Sequence, residues 1–161
     1  MPTHNKAINI PYISCTFDEL EEDDRHLVEL ARKACRTSYS PYSLFSVGAA
    51  IILEDGTIVQ GSNQENAASP SGTCAERCAM FYANAKYPET APVTIAIAAK
   101  NDHGEFTAEP ISPCGACRQV LIESEHRYGR KLRVILYGID ECYILDSATN
   151  LLPFAFNADS M

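Results

Sequence analysis

Val47-Gly48-Ala49-Ala50-Ile51-Ile52-Leu53-Glu54-Asp55-Gly56-Thr57-Ile58-Val59-Gln60 reads as one hairpin: a buried apolar strand, an Asp-Gly turn and a second strand. Upstream, acidic residues crowd Asp18 to Asp24, and Leu27, Leu30, Ala31 and Ala34 recur at helical spacing down to about Cys35. Carboxylates at the start and Arg32 and Lys33 near the end suit the dipole of that helix. Tyr39-Ser40-Pro41-Tyr42-Ser43 then breaks it. Downstream, Gly61 to Thr73 is a polar loop, Cys74 to about Lys86 a second helix, and Val93 to Lys100 a fully apolar strand. After another polar loop, Asn101 to Pro110, Cys114 to about Tyr128 forms a third helix, with Leu132–Tyr137 and Cys142–Leu145 as further strands.

The order is αββαβαββ. Helices interleaved with strands imply an α/β fold, here a three-layer α/β/α arrangement around a roughly five-stranded sheet. The sheet is mixed in direction because its first two strands form the hairpin. Residues 1–16 read as an N-terminal extension, with Ile8–Ile13 a weak strand that Pro11 confines to an edge, and residues 17–161 as one catalytic domain. Neither a repeat nor a low-complexity tract interrupts the chain.

A length of 161 residues suits one domain, and such a chain buries roughly 70% of its unfolded surface. The formal net charge of -8 disfavours nucleic-acid binding, which rests on Lys and Arg neutralising phosphates. A small substrate fits better. The N-terminus lacks a signal-peptide pattern, and the longest apolar run is far too short to span a bilayer. Seven cysteines in such a chain imply reduced thiols in the cytoplasm, with metal binding or catalysis favoured over cross-linking.

Two stretches hold the chemistry: Thr73-Cys74-Ala75-Glu76-Arg77 and Ile111-Ser112-Pro113-Cys114-Gly115-Ala116-Cys117-Arg118. Cys114 and Cys117, three apart at a helix start, share one face with Cβ atoms roughly 5–6 Å apart. Tetrahedral zinc at about 2.3 Å from each sulfur needs thiolates roughly 3.8 Å apart, which rotation of those side chains provides. Taken alone, the pair fits a redox dithiol or a buried structural pair equally well. Cys74 adds a third thiolate, and Glu76 a carboxylate badly placed to ligate the same ion yet able to reach something bound to it. Three protein ligands and an open position characterise catalytic zinc. Three thiolates make the metal a poorer Lewis acid, and Arg77 beside them is the residue to hydrogen-bond the sulfurs and drain their charge.

Cys-Ala-Glu-Arg followed by Pro-Cys-Gly-Ala-Cys-Arg-Gln-Val resembles the small homotetrameric cytidine deaminases, as do Pro41–Ala50, Asn63–Ala68 and the terminal Leu-Leu-Pro-Phe-Ala-Phe. The resemblance runs from about Arg25 to Phe156. It implies Cys74, Cys114 and Cys117 as ligands of one zinc ion per chain, and Glu76 as proton shuttle. It further implies Asn63 and Glu65 on the ribose 3′-hydroxyl, Phe45 against the base, and the Ala75 N–H and Ser112 carbonyl on the pyrimidine edge. Phe156 would reach a neighbouring subunit's site in a homotetramer. The implied reaction is hydrolytic deamination of free cytidine and deoxycytidine to uridine, deoxyuridine and ammonia, by zinc-bound hydroxide attacking C4, in pyrimidine salvage. A deaminase of another amino-heterocycle and a structural zinc module without turnover are the alternatives. Ser69 departs from the family where a Tyr is frequent, and Cys78, one turn after Cys74, is a further thiol without a ligand role.

Overall fold

The computed structural model describes residues 3–161. Nine regular elements follow in order: β1 (Ile13–Cys15), α1 (Glu22–Ala34), β2 (Ser46–Leu53), β3 (Ile58–Ser62), α2 (Ala75–Lys86), β4 (Pro92–Lys100), α3 (Gly115–Tyr128), β5 (Arg133–Tyr137) and β6 (Cys142–Leu145). The strands form one sheet in the order β1-β6-β5-β4-β2-β3. Only β4 and β5 run parallel, joined through α3; every other neighbouring pair is antiparallel.

The sheet has six strands, not the expected five. The additional one, β1, comes from the N-terminal segment and takes the edge beside β6, pairing Ile13 with Ile144 and Cys15 with Cys142. It begins beyond Pro11, whose missing N–H cannot join a ladder. Met1 and Pro2 of the expected extension lie outside the described residues.

Period-two alternation sorts the strands' side chains into two cores. Ala49, Ile51, Ile95, Ile97, Val134 and Leu136 face α2 and α3, meeting Ala79, Met80 and Leu121. Ala50, Ala96, Ala98, Ile135 and Tyr137 face α1, meeting Leu27, Val28 and Ala31. One helix on one face and two on the other make the three layers. Complete burial of a side chain such as Leu27 or Ile95 contributes about 1.5–3 kcal/mol.

Two glycines set the spacing between layers. A Cβ on Gly48 would collide with the carbonyl of Ala31 in α1. One on Gly61 would lie 2.6 Å from both the Ala75 carbonyl and the Ala79 nitrogen. Close approach at Gly61 seats the first turn of α2 directly on β3, beside the loop that leaves β3 at Asn63. Among the described residues no helix is long and apolar enough to cross a membrane.

Candidate active site

Helices α2 and α3 each start on a cysteine. Cys74 and Cys114 are N-cap residues with extended backbones (φ -73°, ψ 156° and φ -65°, ψ 165°), so neither belongs to its helix. An N-cap side chain naturally folds back over the third helical residue. In α3 that residue is Cys117, whose Sγ lies 3.5 Å from that of Cys114. The two cysteines therefore meet as a cap and its first turn, rather than as two rungs of one helix face. In α2 the third residue is Arg77, whose Nη2 donates to Cys74 Sγ at 3.4 Å.

Cys74 Sγ sits 3.7 Å from Cys114 Sγ, and the three sulfurs all lie within 4.8 Å of one another. The separation is close to the roughly 3.8 Å between sulfurs on one tetrahedral zinc, so the donor set fits that ion. Cys78 stays out of the cluster and lines a different hollow with Lys33 and Arg36. Hydrogen bonding from Cys117, then from Arg77 and Cys114, brings the Cys74 thiol down to about 5. Cys117, donating to Cys74 and buried, is correspondingly held protonated. Both helix N-termini add positive potential at the sulfurs. The Arg77 guanidinium is bound more firmly in its charged form by the Cys74 sulfur.

Glu76 follows Cys74 by two residues and is 4% exposed. Burial raises its carboxyl pKa, and the neighbouring Cys74 thiolate adds to the rise. A carboxyl raised in this way keeps a proton more readily than an exposed one, which suits a group that must both take up and return a proton. It opens onto a cavity of about 310 Å³ lined also by Phe45, Asn63, Glu65, Cys74, Ser112 and Cys114. Four sequence-separated segments thus converge on one space.

Asn63 is more heavily engaged than its loop position implies. Its Oδ1 accepts from Ser38 Oγ (2.6 Å) and the Val47 N–H (2.8 Å), and its Nδ2 donates to the Phe45 carbonyl (2.9 Å). Half of the carboxamide's donor capacity remains for a ligand. Glu65 accepts from the N–H groups of Tyr42 (2.9 Å) and Ser43 (3.3 Å), and hydrogen bonding from Ser43 and Tyr42 keeps its carboxyl below the usual range. Between these anchors Leu44 adopts a left-handed φ of 57°, rare for a branched side chain, and Phe45 follows it into the cavity wall.

Four of the expected residues, Ala75, Cys117, Phe156 and Arg77, lie off this cavity wall. Ala75 and Cys117 are buried beneath it. Phe156 is 61% exposed, outside the cavity, with its carbonyl accepting from Gln119 Nε2 at 2.7 Å. Arg77 and Ser69 line an adjoining hollow of about 520 Å³, which shares Asn63, Glu65 and Cys74 with the first. Conversely, Val47, Ile97 and Ile111 contribute apolar wall that was not anticipated. Val47 and Ile97 sit in strands, where any apolar residue reads as core, so only the folded register distinguishes a wall from a filling.

The sequence pattern of the cytidine and deoxycytidylate deaminase zinc-binding region matches residues 21–129. A cytidine deaminase of Sporosarcina psychrophila is 43% identical over 139 residues, covering 86% of this chain and 95% of that protein. That of Halalkalibacterium halodurans is 38% identical over 139 residues, covering 86% and 98%. The crystal structure of a cytidine deaminase from Burkholderia pseudomallei superimposes with a TM-score of 0.70 at 39% identity, covering 85% of this chain and 100% of that one. With three clustered sulfurs and a buried carboxyl in the matched region, the chain belongs to the cytidine and deoxycytidylate deaminase zinc-binding family.

Proposed function

We propose that this protein is a zinc-dependent hydrolase that deaminates free cytidine and deoxycytidine. One observation carries the proposal: Cys74, Cys114 and the buried Glu76 open on the same cavity as Phe45, Asn63 and Glu65. Cys74, Cys114 and Cys117 would hold one zinc ion per chain. Zinc bound there supplies an acidified water, its pKa lowered from 15.7 towards about 7. Glu76 takes up the proton that the attacking water gives up and passes it to pyrimidine N3; it then takes the remaining proton from the hydroxyl on C4 and delivers it to the amine, so that the C4–N bond breaks, ammonia leaves and the C4 carbonyl forms. Ala75, first residue of α2, has an N–H of the kind no intrahelical carbonyl can satisfy, which suits it to the pyrimidine O2. The Ser112 carbonyl takes the exocyclic amine, Phe45 packs on the base, and Asn63 and Glu65 engage the ribose 3′-hydroxyl. Arg77 offsets the charge on Cys74.

Nucleosides are favoured over nucleotides by charge. Among the described residues, no Lys or Arg lines the cavity, whereas Glu65 and Glu76 do. A 5′-phosphate would meet repulsion without a counter-charge. Residues 1–16 serve as an extension to a catalytic domain at 17–161. A homotetramer with shared sites is supported by large apolar side chains left outside the cores, Phe154 at 94% and Phe156 at 61% exposed. Phe156 is the residue offered to a neighbour's site. Seven free thiols suit the reducing cytoplasm, and pyrimidine salvage is the setting.

The test is zinc-loaded protein with cytidine, following the ultraviolet change on forming uridine. Turnover is expected, with Glu76→Gln reducing kcat by about 10²–10⁴-fold while zinc content stays constant. Full activity in Glu76→Gln overturns the proton-shuttle role. An inert wild type with tightly bound zinc favours a structural zinc module. Equal turnover of deoxycytidylate and deoxycytidine would overturn the preference for nucleosides.

A further inference from the structure

On the α1 face, away from the sulfur cluster, four cations surround one hollow of about 390 Å³: Arg32, Lys33, Arg36 and Lys100, with Glu29 and Phe106 completing its wall. They are four of the 13 Lys and Arg in a chain whose net charge is -8. Among the described residues none of the four takes part in an ion pair, and Glu29 pairs with none of them. Compensation of the α1 dipole accounts for Arg32 and Lys33, in the last helical turn, but not for Lys100, which arrives from the end of β4.

Two of the four cations, Arg32 and Lys100, are held in place without using their donors. Arg32 Cζ lies 4.8 Å from the Phe106 ring centroid, 5.0 Å from that of Tyr137 and 5.6 Å from that of Phe17. Lys100 Nζ lies 4.8 Å from the same Phe106 ring. Ring faces fix a guanidinium while leaving its N–H groups free, and among the described residues Arg32 donates to no protein acceptor. Two like charges gathered on one ring, with free donors, suit a multiply charged anion. The geometry points to a binding site for a soluble metabolite bearing a di- or triphosphate, separate from the deaminase cavity and independent of the reaction proposed there. Four cations and one carboxylate leave a formal charge of +3 around the hollow. Lys33 and Arg36 also line the neighbouring hollow of about 470 Å³, which offers room for the remainder of such a molecule.

Isothermal titration of inorganic triphosphate into the zinc-loaded full chain, at constant ionic strength, tests this. One site per chain is expected, tighter than for inorganic monophosphate. Arg32→Gln and Lys100→Gln should each weaken binding about tenfold or more, with zinc content and cytidine turnover unchanged. Lys131→Gln, outside the hollow, should bind like the wild type. Because triphosphate chelates zinc, equal heats in wild type and both variants would identify chelation and overturn the site. So would the absence of saturable heat. A single-stranded oligonucleotide binding as tightly per phosphate as triphosphate would reassign the surface to a polymer and overturn the metabolite assignment.

Discussion

At the scale of single residues, the arrangement rests on two caps. Ser, Thr, Asp or Asn usually fills an N-cap because its oxygen accepts from the first turn. Here Cys74 and Cys114 take those positions and lack a side-chain cap bond, so their sulfurs remain available to one another. Arg77 occupies in α2 the place that Cys117 occupies in α3, and it supplies a hydrogen bond instead of a ligand. Removing that bond should raise the Cys74 thiol from about 5 towards the ordinary thiol value. Arg77→Gln is therefore expected to weaken zinc affinity about 10–100-fold, and to slow alkylation of the zinc-free protein at mildly acidic pH. Competition with a chelator and a pH series of alkylation rates read these two effects. Unchanged affinity and turnover would remove Arg77 from the machinery.

At the scale of elements, α2 is positioned by contact with β3, and β1 by its ladder with β6 reinforced by one carboxylate. The side chain introduced by Gly61→Ala would press on backbone atoms of Ala75 and Ala79, which cannot rotate away. A loss of about 1–3 kcal/mol in denaturant unfolding is expected, together with a lower zinc affinity because Cys74 moves with the helix. The edge strand, paired along β6, is tied to it further by Glu141, which accepts from Ser14 Oγ at 2.5 Å and Tyr143 Oη at 2.8 Å. Those bonds hold its pKa below the ordinary value of 4.5. A depressed carboxyl stabilises the fold above its unfolded value and loses that contribution as pH falls through the folded one. Amide protection of Ile13–Cys15 should therefore drop selectively below about pH 4.5 in the wild type. In Glu141→Gln the protection should be lower at neutrality and insensitive to that pH step.

At the scale of the whole molecule, a number of large apolar side chains stay outside both cores. Tyr42, Leu44, Phe81, Tyr82, Phe154 and Phe156 are all more than half exposed. Leu44 and Phe154 in addition hold left-handed backbones with φ of 57°. Side chains this large are not normally held out on unusual backbone unless something covers them. Light scattering is expected to give four times the chain mass. Phe154→Asp should lower that mass and raise KM for cytidine while preserving the circular dichroism of the fold. Phe154 is 94% exposed in the single chain, so the substitution removes almost no internal packing.

Much of this was legible in local patterns. The apolar period, the Asp-Gly turn and the helical spacing of Leu27, Ala31 and Ala34 act over a few residues, and so they specified the interleaved elements and the three layers. Cys-x-Glu and Cys-x-x-Cys were readable for the same reason, since few side chains can bind a soft metal or carry a proton. Long-range register is different in kind. That Cys74 approaches Cys114 across 40 residues, that Val47 and Ile97 form cavity wall rather than filling, and that Asn63 ties Ser38 to Phe45 all depend on which strand lies beside which. The sixth strand belongs here too: Ile13–Cys15 has no strong local pattern, and becomes a strand because β6 presents an open edge to it. Local chemistry chose the groups, and packing of distant segments decided which of them meet, because no backbone preference reaches further than a turn or two along the chain.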